Sequence, residues 1–222
     1  MRRTGTRESA PGAYEHYGAL FILNDMDLIA HTIRAVYERK GYRFFDDGKP
    51  YNLNIFGIRN PDGLNEWSDF LCVLYRNERY NWQLFQTPAT TKSGLQGLRK
   101  PVNKAGTGTL VPGQYLGIYR IDLHNGKHAA LCQRNGPVKV YRDNNMDNVF
   151  DLRPEAIQEG LFGVNIHSPF SDAPTVDGRS VACQVPSTVA AWNIILKLAQ
   201  KSAELYGNSF TYTLFDAVDF SA

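Results

Sequence analysis

One of the three cysteines lies in surroundings that could make it a nucleophile. Cys183 follows a run of small residues that begins after a basic side chain, Arg179, and a predicted helix starts a few residues later. A nearby positive charge and a helix N-terminus both lower a thiol pKa, and the thiolate is the reactive form. Cys72 and Cys132 lie inside apolar runs, where a cysteine is usually a small buried side chain. We therefore expect Cys183 to have the lowest thiol pKa of the three.

A nucleophilic thiol needs a base within reach, and His167 is the candidate. It ends an apolar run, residues 161–167, that is predicted to be a strand, and the Pro-, Asp- and Gly-containing segment that follows can bring it back to Cys183. Two plainer interpretations stay open: a buried cysteine at a turn, and a structural histidine bonded to a carbonyl group. His124 and His128 flank an Asn-Gly turn and are expected to be exposed.

The spacing of apolar residues predicts the elements that position this pair. Helical spacing occurs in residues 25–39 and 188–205. Strand signals occur at 53–59, 70–75, 82–85, 114–123, 129–133, 138–141, 161–167 and 210–215. Residues 87–114, rich in Thr, Gly and Pro, are expected to be a long irregular loop. We predict a mostly-β fold, a sandwich or partly open barrel with accessory helices.

Composition limits the classes of partner. The 222 residues include 24 basic and 22 acidic ones, a formal net charge of +2, and 43% are apolar. Such a chain can build a core, whereas disordered chains combine low hydrophobicity with high charge. The small basic excess argues against a nucleic-acid partner, and no run approaches the ~20 apolar residues of a membrane span. No apolar segment of signal-peptide type follows the basic residues 1–12, which predicts synthesis in the cytoplasm without a secretory signal.

The sequence does not predict a metal site. The cysteines lack the close pairing typical of zinc sites. Oxygen side chains at Asp143, Asn145 and Asp147 match the start of a calcium loop, but Asn148 replaces its glycine and Pro154 its final acid. An Asx-rich turn explains the same residues. We therefore assign neither a metal nor a cofactor.

Several segments together resemble one enzyme family. Residues 166–167 (Ile-His) and 180–185 (Ser-Val-Ala-Cys-Gln-Val) resemble the signature of L,D-transpeptidases with a YkuD-type catalytic domain, in which a strand-end His precedes a loop ending in Ser/Thr-His-Gly-Cys. Residues 109–115 look like that family's turn into a core strand, and residues 90–94 resemble its earlier Ser/Thr-x-Gly segment. The likeness covers about residues 52–220. Phage and gut-bacterial variants with a Cys-Gln motif are closest in pattern.

Three positions depart from the family motif. Val181 stands where the family has His, Ala182 where it has Gly, and Gln184 where it has Arg or Asn. Val181 removes a side chain that could order the site. Ala182 restricts the backbone at a place where Gly permits a positive φ.

The resemblance implies a YkuD-like β domain over residues 51–222, preceded by an extension, residues 1–50, with one accessory helix. It implies cysteine-dependent acyl transfer or hydrolysis on peptidoglycan stem peptides. Cys183 would attack an amide carbonyl, His167 would carry the proton, and Ser180 would orient the imidazole. Backbone N–H groups near Ala182 would stabilise the oxyanion. Substrate binding would fall to Arg179, Arg142 and Gln184.

The resemblance leaves two alternatives and a question of delivery. The domain could be a non-catalytic phage or secreted structural protein, or an intracellular cysteine hydrolase with another amide substrate. An enzyme without a secretory signal would reach the periplasm or cell wall by lysis, in a phage particle, or through a contact-dependent secretion machine. An immunity partner would accompany the last route.

Overall fold

The computed structural model describes residues 25–61 and 63–221, and the predicted lead-in, residues 1–18, lies outside them. No helix in these two ranges combines the length and the apolar character that a membrane crossing needs. The helices are α1 (Asp25–Arg39), α2 (Leu95–Arg99) and α3 (Val189–Tyr206). The strands are β1 (Asn54–Arg59), β2 (Asp69–Arg76), β3 (Trp82–Thr90), β4 (Thr107–Leu110), β5 (Gly113–His124), β6 (His128–Gln133), β7 (Val138–Asp143), β8 (Ile157–Gly160), β9 (Val185–Pro186) and β10 (Phe210–Asp216).

The strands form two sheets. The larger has seven strands in the order β6-β5-β10-β1-β2-β3-β9 and curls into half a barrel, and the smaller has the order β4-β7-β8. Strand β10, the last in the chain, lies in the interior of the large sheet, parallel to β1 and antiparallel to β5. The other strand pairs are antiparallel. The predicted mostly-β fold with few helices is confirmed at this level.

Alternating side chains give the large sheet two buried faces. In β2, Leu71 and Val73 belong to the core that includes Ile195 of α3. Cys72 and Leu74 belong to a second core that includes Tyr37 of α1. Successive strand residues point to opposite faces, so the near-continuous apolar run of β2 reflects a strand covered on both sides. Helix α1 is therefore one of the two covers of the sheet.

Local signals predicted helices α1 and α3 and the turn between β5 and β6 correctly. Helix α3 begins after Thr188, whose Oγ1 accepts the backbone N–H of Ala191, and it ends at Gly207 with a φ of +86°. Asn125 and Gly126 both have positive φ in the turn between β5 and β6, as a tight hairpin requires.

The prediction of one irregular loop over residues 87–114 is wrong. This stretch contains the end of β3, helix α2, strand β4 and the start of β5. All four residues of β4, Thr107–Leu110, are buried, and they pair with β7. A short strand of Thr and Gly has no apolar alternation, so its sequence resembles that of a loop.

The predicted strand over residues 161–167 is also wrong. Gly163 has a φ of +70°, which is not a strand conformation, and only Ile166 makes ladder contacts, one with Leu131 and one with Gln184. The Gln133 Oε1 accepts the backbone N–H groups of residues 162–164 at 2.9–3.2 Å. A side chain thus takes the hydrogen bonds that a neighbouring strand would otherwise supply.

A buried polar cluster holds residues 90–94 against the sheet. The Asp69 carboxylate accepts the backbone N–H and the hydroxyl of Thr91, both at 2.8 Å, and lies 3.3 Å from the Lys92 ammonium. The Lys92 carbonyl accepts the Ser180 hydroxyl at 2.9 Å, and the Gly94 N–H donates to the Ser180 carbonyl at 3.0 Å. This segment therefore supports the turn that carries Cys183.

Candidate functional site

Cys183 lies at the end of a tight turn. The Ser180 Oγ lies 2.8 Å from the Cys183 carbonyl oxygen as well as 2.9 Å from that of Lys92, so its single proton is shared between the two carbonyl groups and ties the turn to residues 90–94. Ala182 has a φ of +100°, so alanine adopts here the positive φ that the family motif assigns to glycine. Cys183 leads into β9 and not directly into helix α3, which starts at residue 189.

Burial determines the pKa of the Cys183 thiol. The residue is 8% exposed, its sulfur accepts the Asn165 backbone N–H at 3.4 Å, and the thiol donates to the Gly163 carbonyl at 3.6 Å. Burial raises its thiol pKa to about 11, and burial also raises those of Cys72, to about 12, and of Cys132. The expectation of a low thiol pKa from a basic neighbour and a helix N-terminus is wrong, because neither contacts the sulfur.

His167 is a buried, neutral base. Its Nδ1 lies 2.7 Å from the Ser168 carbonyl, which can only accept, so Nδ1 carries the proton and Nε2 keeps a lone pair. Burial, with a smaller effect of His124, lowers the pKa of His167 to about 4. At neutral pH the ring can accept a proton from a thiol or bind a metal ion.

His124, at the end of β5, is the site residue that sequence analysis missed. It was expected to be exposed, but its ring stacks on that of His167 with centroids 4.2 Å apart and 28° between the planes. One ring nitrogen of His124, one of His167 and the Cys183 sulfur all lie within 4.8 Å of one another. The pKa of His124 is lowered by burial and then by His128.

Asn165 connects Cys183 with His124. Its backbone N–H donates to the Cys183 sulfur, and its Nδ2 donates to the His124 Nδ1 at 2.8 Å. Its Oδ1 accepts the Gln133 backbone N–H at 2.9 Å, which fixes the orientation of the amide. No motif in the sequence marks Asn165, since its role depends on strand β6 lying alongside it.

These groups face a pocket of about 570 Å³. Cys183, His167 and His124 line it together with Arg142 and Arg179. The Arg142 guanidinium donates to the Gln158 Oε1 and the Gly106 carbonyl, and it has no carboxylate within 4 Å among residues 25–61 and 63–221. Arg142 is only 8% exposed, and burial lowers its pKa. The pocket therefore presents a buried cation without an acidic partner, which suits an anionic ligand.

Comparison with known proteins gives no match. This holds for protein-family models, for curated proteins and for solved structures. The relation to L,D-transpeptidases consequently remains a prediction from the sequence motif.

Two residues predicted for the site do not line the pocket. The Ser180 hydroxyl and carbonyl bond to residues 92–94 and 183, so the Ser168 carbonyl, and not Ser180, orients the His167 imidazole. Gln184 was expected to bind substrate, but it is 1% exposed, donates to the Ala182 carbonyl and accepts the Tyr212 hydroxyl. Both side chains hold the turn in place.

The backbone at this turn retains free donors. The N–H groups of Ala182 and Cys183 make no hydrogen bond to any part of the chain that the structure describes. Both residues line the pocket. Two adjacent N–H groups beside a nucleophile are the arrangement that stabilises an oxyanion.

The positive φ of Ala182 leads to a stability prediction. Replacing Ala182 by Gly relieves backbone strain of about 1–3 kcal/mol for a non-glycine residue, and the lost methyl group and the more flexible unfolded chain offset part of it. We expect Ala182→Gly to raise the free energy of unfolding by on the order of 1 kcal/mol, measured by urea denaturation. The control is Ala199→Gly inside α3, which should lower it. If Ala182→Gly and Ala199→Gly lowered the free energy of unfolding equally, the backbone at Ala182 would not be strained.

His167 makes the free energy of unfolding depend on pH. The pKa of His167 is about 4 in the folded chain, whereas the ordinary value is 6.5. Between pH 6.5 and 4 the imidazole is therefore protonated in the unfolded chain and neutral in the folded chain. The free energy of unfolding should fall by up to about 1.4 kcal/mol per pH unit as the pH drops from 6.5 towards 4. The lowered pKa of the adjacent His124 acts in the same direction. Denaturation at pH 7 and 4.5 should show a smaller drop for His167→Gln than for the wild type, while His31→Gln, exposed on α1, should match the wild type.

Proposed function

We propose that this protein is a cysteine-dependent acyltransferase or peptidase acting on peptidoglycan stem peptides. The observation that carries the proposal is the meeting of Cys183 and His167 within 4.8 Å on the wall of one pocket. These are the two residues that sequence analysis chose as nucleophile and base. The substrate class comes from the resemblance to L,D-transpeptidases.

The protonation states favour attack assisted by a general base over attack by a preformed thiolate. The Cys183 thiol keeps its proton at neutral pH, and the His167 Nε2 lone pair is available. As the sulfur attacks an amide carbonyl, the thiol proton passes to Nε2, and the N–H groups of Ala182 and Cys183 stabilise the oxyanion. The same proton then passes to the leaving amine as the C–N bond breaks. The resulting thioester is resolved by an amine, giving transpeptidation, or by water, giving hydrolysis.

The charge of the pocket fits the ends of a stem peptide. Arg142 and Arg179 both line it, and Arg142 has no acidic partner among the described residues. Stem peptides carry free carboxylates, which bind a guanidinium through charge-assisted hydrogen bonds.

The experiment is incubation of the full chain with purified muropeptides, analysed by mass spectrometry. A cleaved or exchanged amide bond that requires Cys183 supports the proposal, and amidation of the stem-peptide carboxylates should weaken turnover. Absence of turnover, or turnover equal in Cys183→Ala, would contradict it.

One observation favours a second candidate, a non-catalytic interaction domain. The resting Cys183 thiol donates to the Gly163 carbonyl and is 8% exposed, which is also how a structural cysteine behaves. Specific binding of muropeptides without turnover would support this candidate.

A further inference from the structure

We propose that His124, His167 and Cys183 form a binding site for Zn²⁺. One nitrogen from each imidazole and the Cys183 sulfur lie within 4.8 Å of one another. Zinc binds His nitrogen at about 2.0–2.1 Å and Cys sulfur at about 2.3 Å. Ligand atoms on a tetrahedral ion are therefore somewhat closer together, and modest side-chain rotations would gather these three around one ion.

The donor set and its exposure favour zinc over harder cations. Two imidazoles and one thiolate are borderline-soft ligands, which Zn²⁺ takes readily and Mg²⁺ and Ca²⁺ do not. All three residues line the same pocket. Three protein ligands with a fourth position open to water or a bound group are typical of zinc sites that take part in chemistry or regulation.

His167 already makes the hydrogen bond that zinc-binding histidines use, and His124 needs a small rearrangement. The His167 Nδ1 donates to the Ser168 carbonyl, which leaves Nε2 for the metal. In His124, Asn165 donates to Nδ1 and the exposed amide of Asn125 lies 2.9 Å from Nε2. Rotation of the Asn125 amide lets its oxygen accept an Nε2–H. Coordination through Nδ1 then costs His124 only the hydrogen bond from Asn165.

Zn²⁺ binding would occupy the Cys183 sulfur, which is the nucleophile of the proposed enzyme. The ion replaces the proton of the Cys183 thiol, which is released to solvent, and the sulfur becomes a metal-bound thiolate. The ion would occupy both the Cys183 sulfur and the His167 Nε2, the nucleophile and the base of the proposed mechanism, so zinc and acyl substrate would compete for the site. The metal site itself does not depend on the proposed enzymatic activity.

The sequence did not predict this metal site because its three ligands come from separate parts of the fold. His124 ends β5, His167 follows the isolated bridge residue Ile166, and Cys183 precedes β9. Short-range motifs such as paired cysteines do not occur among them. The three meet because Ile166 pairs with both Leu131 of β6 and Gln184.

The test is titration of the reduced, metal-free full chain with Co²⁺, which reports sulfur ligation by a charge-transfer absorption band, and then displacement by Zn²⁺. We expect one ion per chain. Cys183→Ala should abolish the charge-transfer band, and His124→Gln and His167→Gln should each weaken Zn²⁺ binding by at least about 100-fold, more than the loss of an outer-sphere partner. Cys72→Ala and His31→Gln, which change the same residue types away from the pocket, should bind as the wild type does.

Each contrary outcome overturns the site. No charge-transfer band in the wild type, an unchanged band in Cys183→Ala, or unchanged affinity in His124→Gln would each reject the three-ligand site. Circular dichroism of every metal-free variant verifies that lost binding is not lost folding, and a variant that unfolds is replaced by Cys183→Ser or His124→Ala. Because this readout needs no substrate, failure to bind metal and failure to turn over muropeptides are separate results.

Discussion

Replacing Cys183 by alanine is expected to lower muropeptide turnover by a factor on the order of 10⁵ or more, because removal of a nucleophile leaves only binding and oxyanion stabilisation. His167→Gln should cost about 10²–10⁴-fold, the usual contribution of a general base. The measurement is single-turnover kinetics followed by mass spectrometry. Neither change opens a large cavity, so both variants should remain folded.

The matched control for this series is Cys72→Ala. Cys72 is buried in β2 on the sheet face that α1 covers and does not line the pocket. Its loss should leave turnover within about twofold of the wild type, since an equal loss of volume occurs far from the pocket. An equal loss of rate in Cys72→Ala and Cys183→Ala would show that the effect arises from stability and not from chemistry.

Replacing Asp69 by alanine is expected to lower the free energy of unfolding by about 3–5 kcal/mol, the usual consequence of leaving one charge of a buried ion pair uncompensated. Asp69 is fully buried and Lys92 is 3% exposed. The carboxylate also accepts the backbone N–H of Asn60 at 2.9 Å and two hydrogen bonds from Thr91. The measurement is urea denaturation at pH 7.

A surface pair provides the comparison for Asp69. Asp122 lies 2.9 Å from Arg134 with both side chains about 40% exposed (42% and 39%), so Asp122→Ala should lower the free energy of unfolding far less than Asp69→Ala does. Combining Asp69→Ala with Lys92→Met should restore part of the lost stability, because the second change removes the buried ammonium group that faced the Asp69 carboxylate. A loss of less than 1 kcal/mol in Asp69→Ala, or no recovery in the double variant, would contradict a buried ion pair.

The sequence correctly predicted those elements whose formation depends on the spacing of nearby residues. Helix α1 and helix α3 follow from apolar residues three and four positions apart, and the β5–β6 turn follows from Asn125-Gly126. Cys183 and His167 could be chosen because their residue types are reactive and their contexts polar. The mostly-β class followed from the number of short apolar runs.

The features of the site that the sequence did not predict depend on contacts between residues far apart in the chain. His124 appeared to be a surface residue because only the pairing of Ile166 with Leu131 brings His167 beside it. The thiol pKa of Cys183 was misjudged because it depends on burial, and residues near in sequence do not reveal burial. Ser180 was assigned to the imidazole because it lies three positions before the thiol, yet the structure directs its hydroxyl to Lys92.

The interior position of β10 has a consequence for synthesis on the ribosome. Residues 210–216 separate the β5–β6 hairpin from the β1–β2–β3 meander, so the large sheet stays in two pieces until these residues have left the exit tunnel. Until then β1 and β5 each present an unpaired apolar edge, the kind of surface on which nascent chains aggregate. The long sequence separation between β1 and β10 also predicts slow folding. A truncation upstream of Phe210 would leave both edges open.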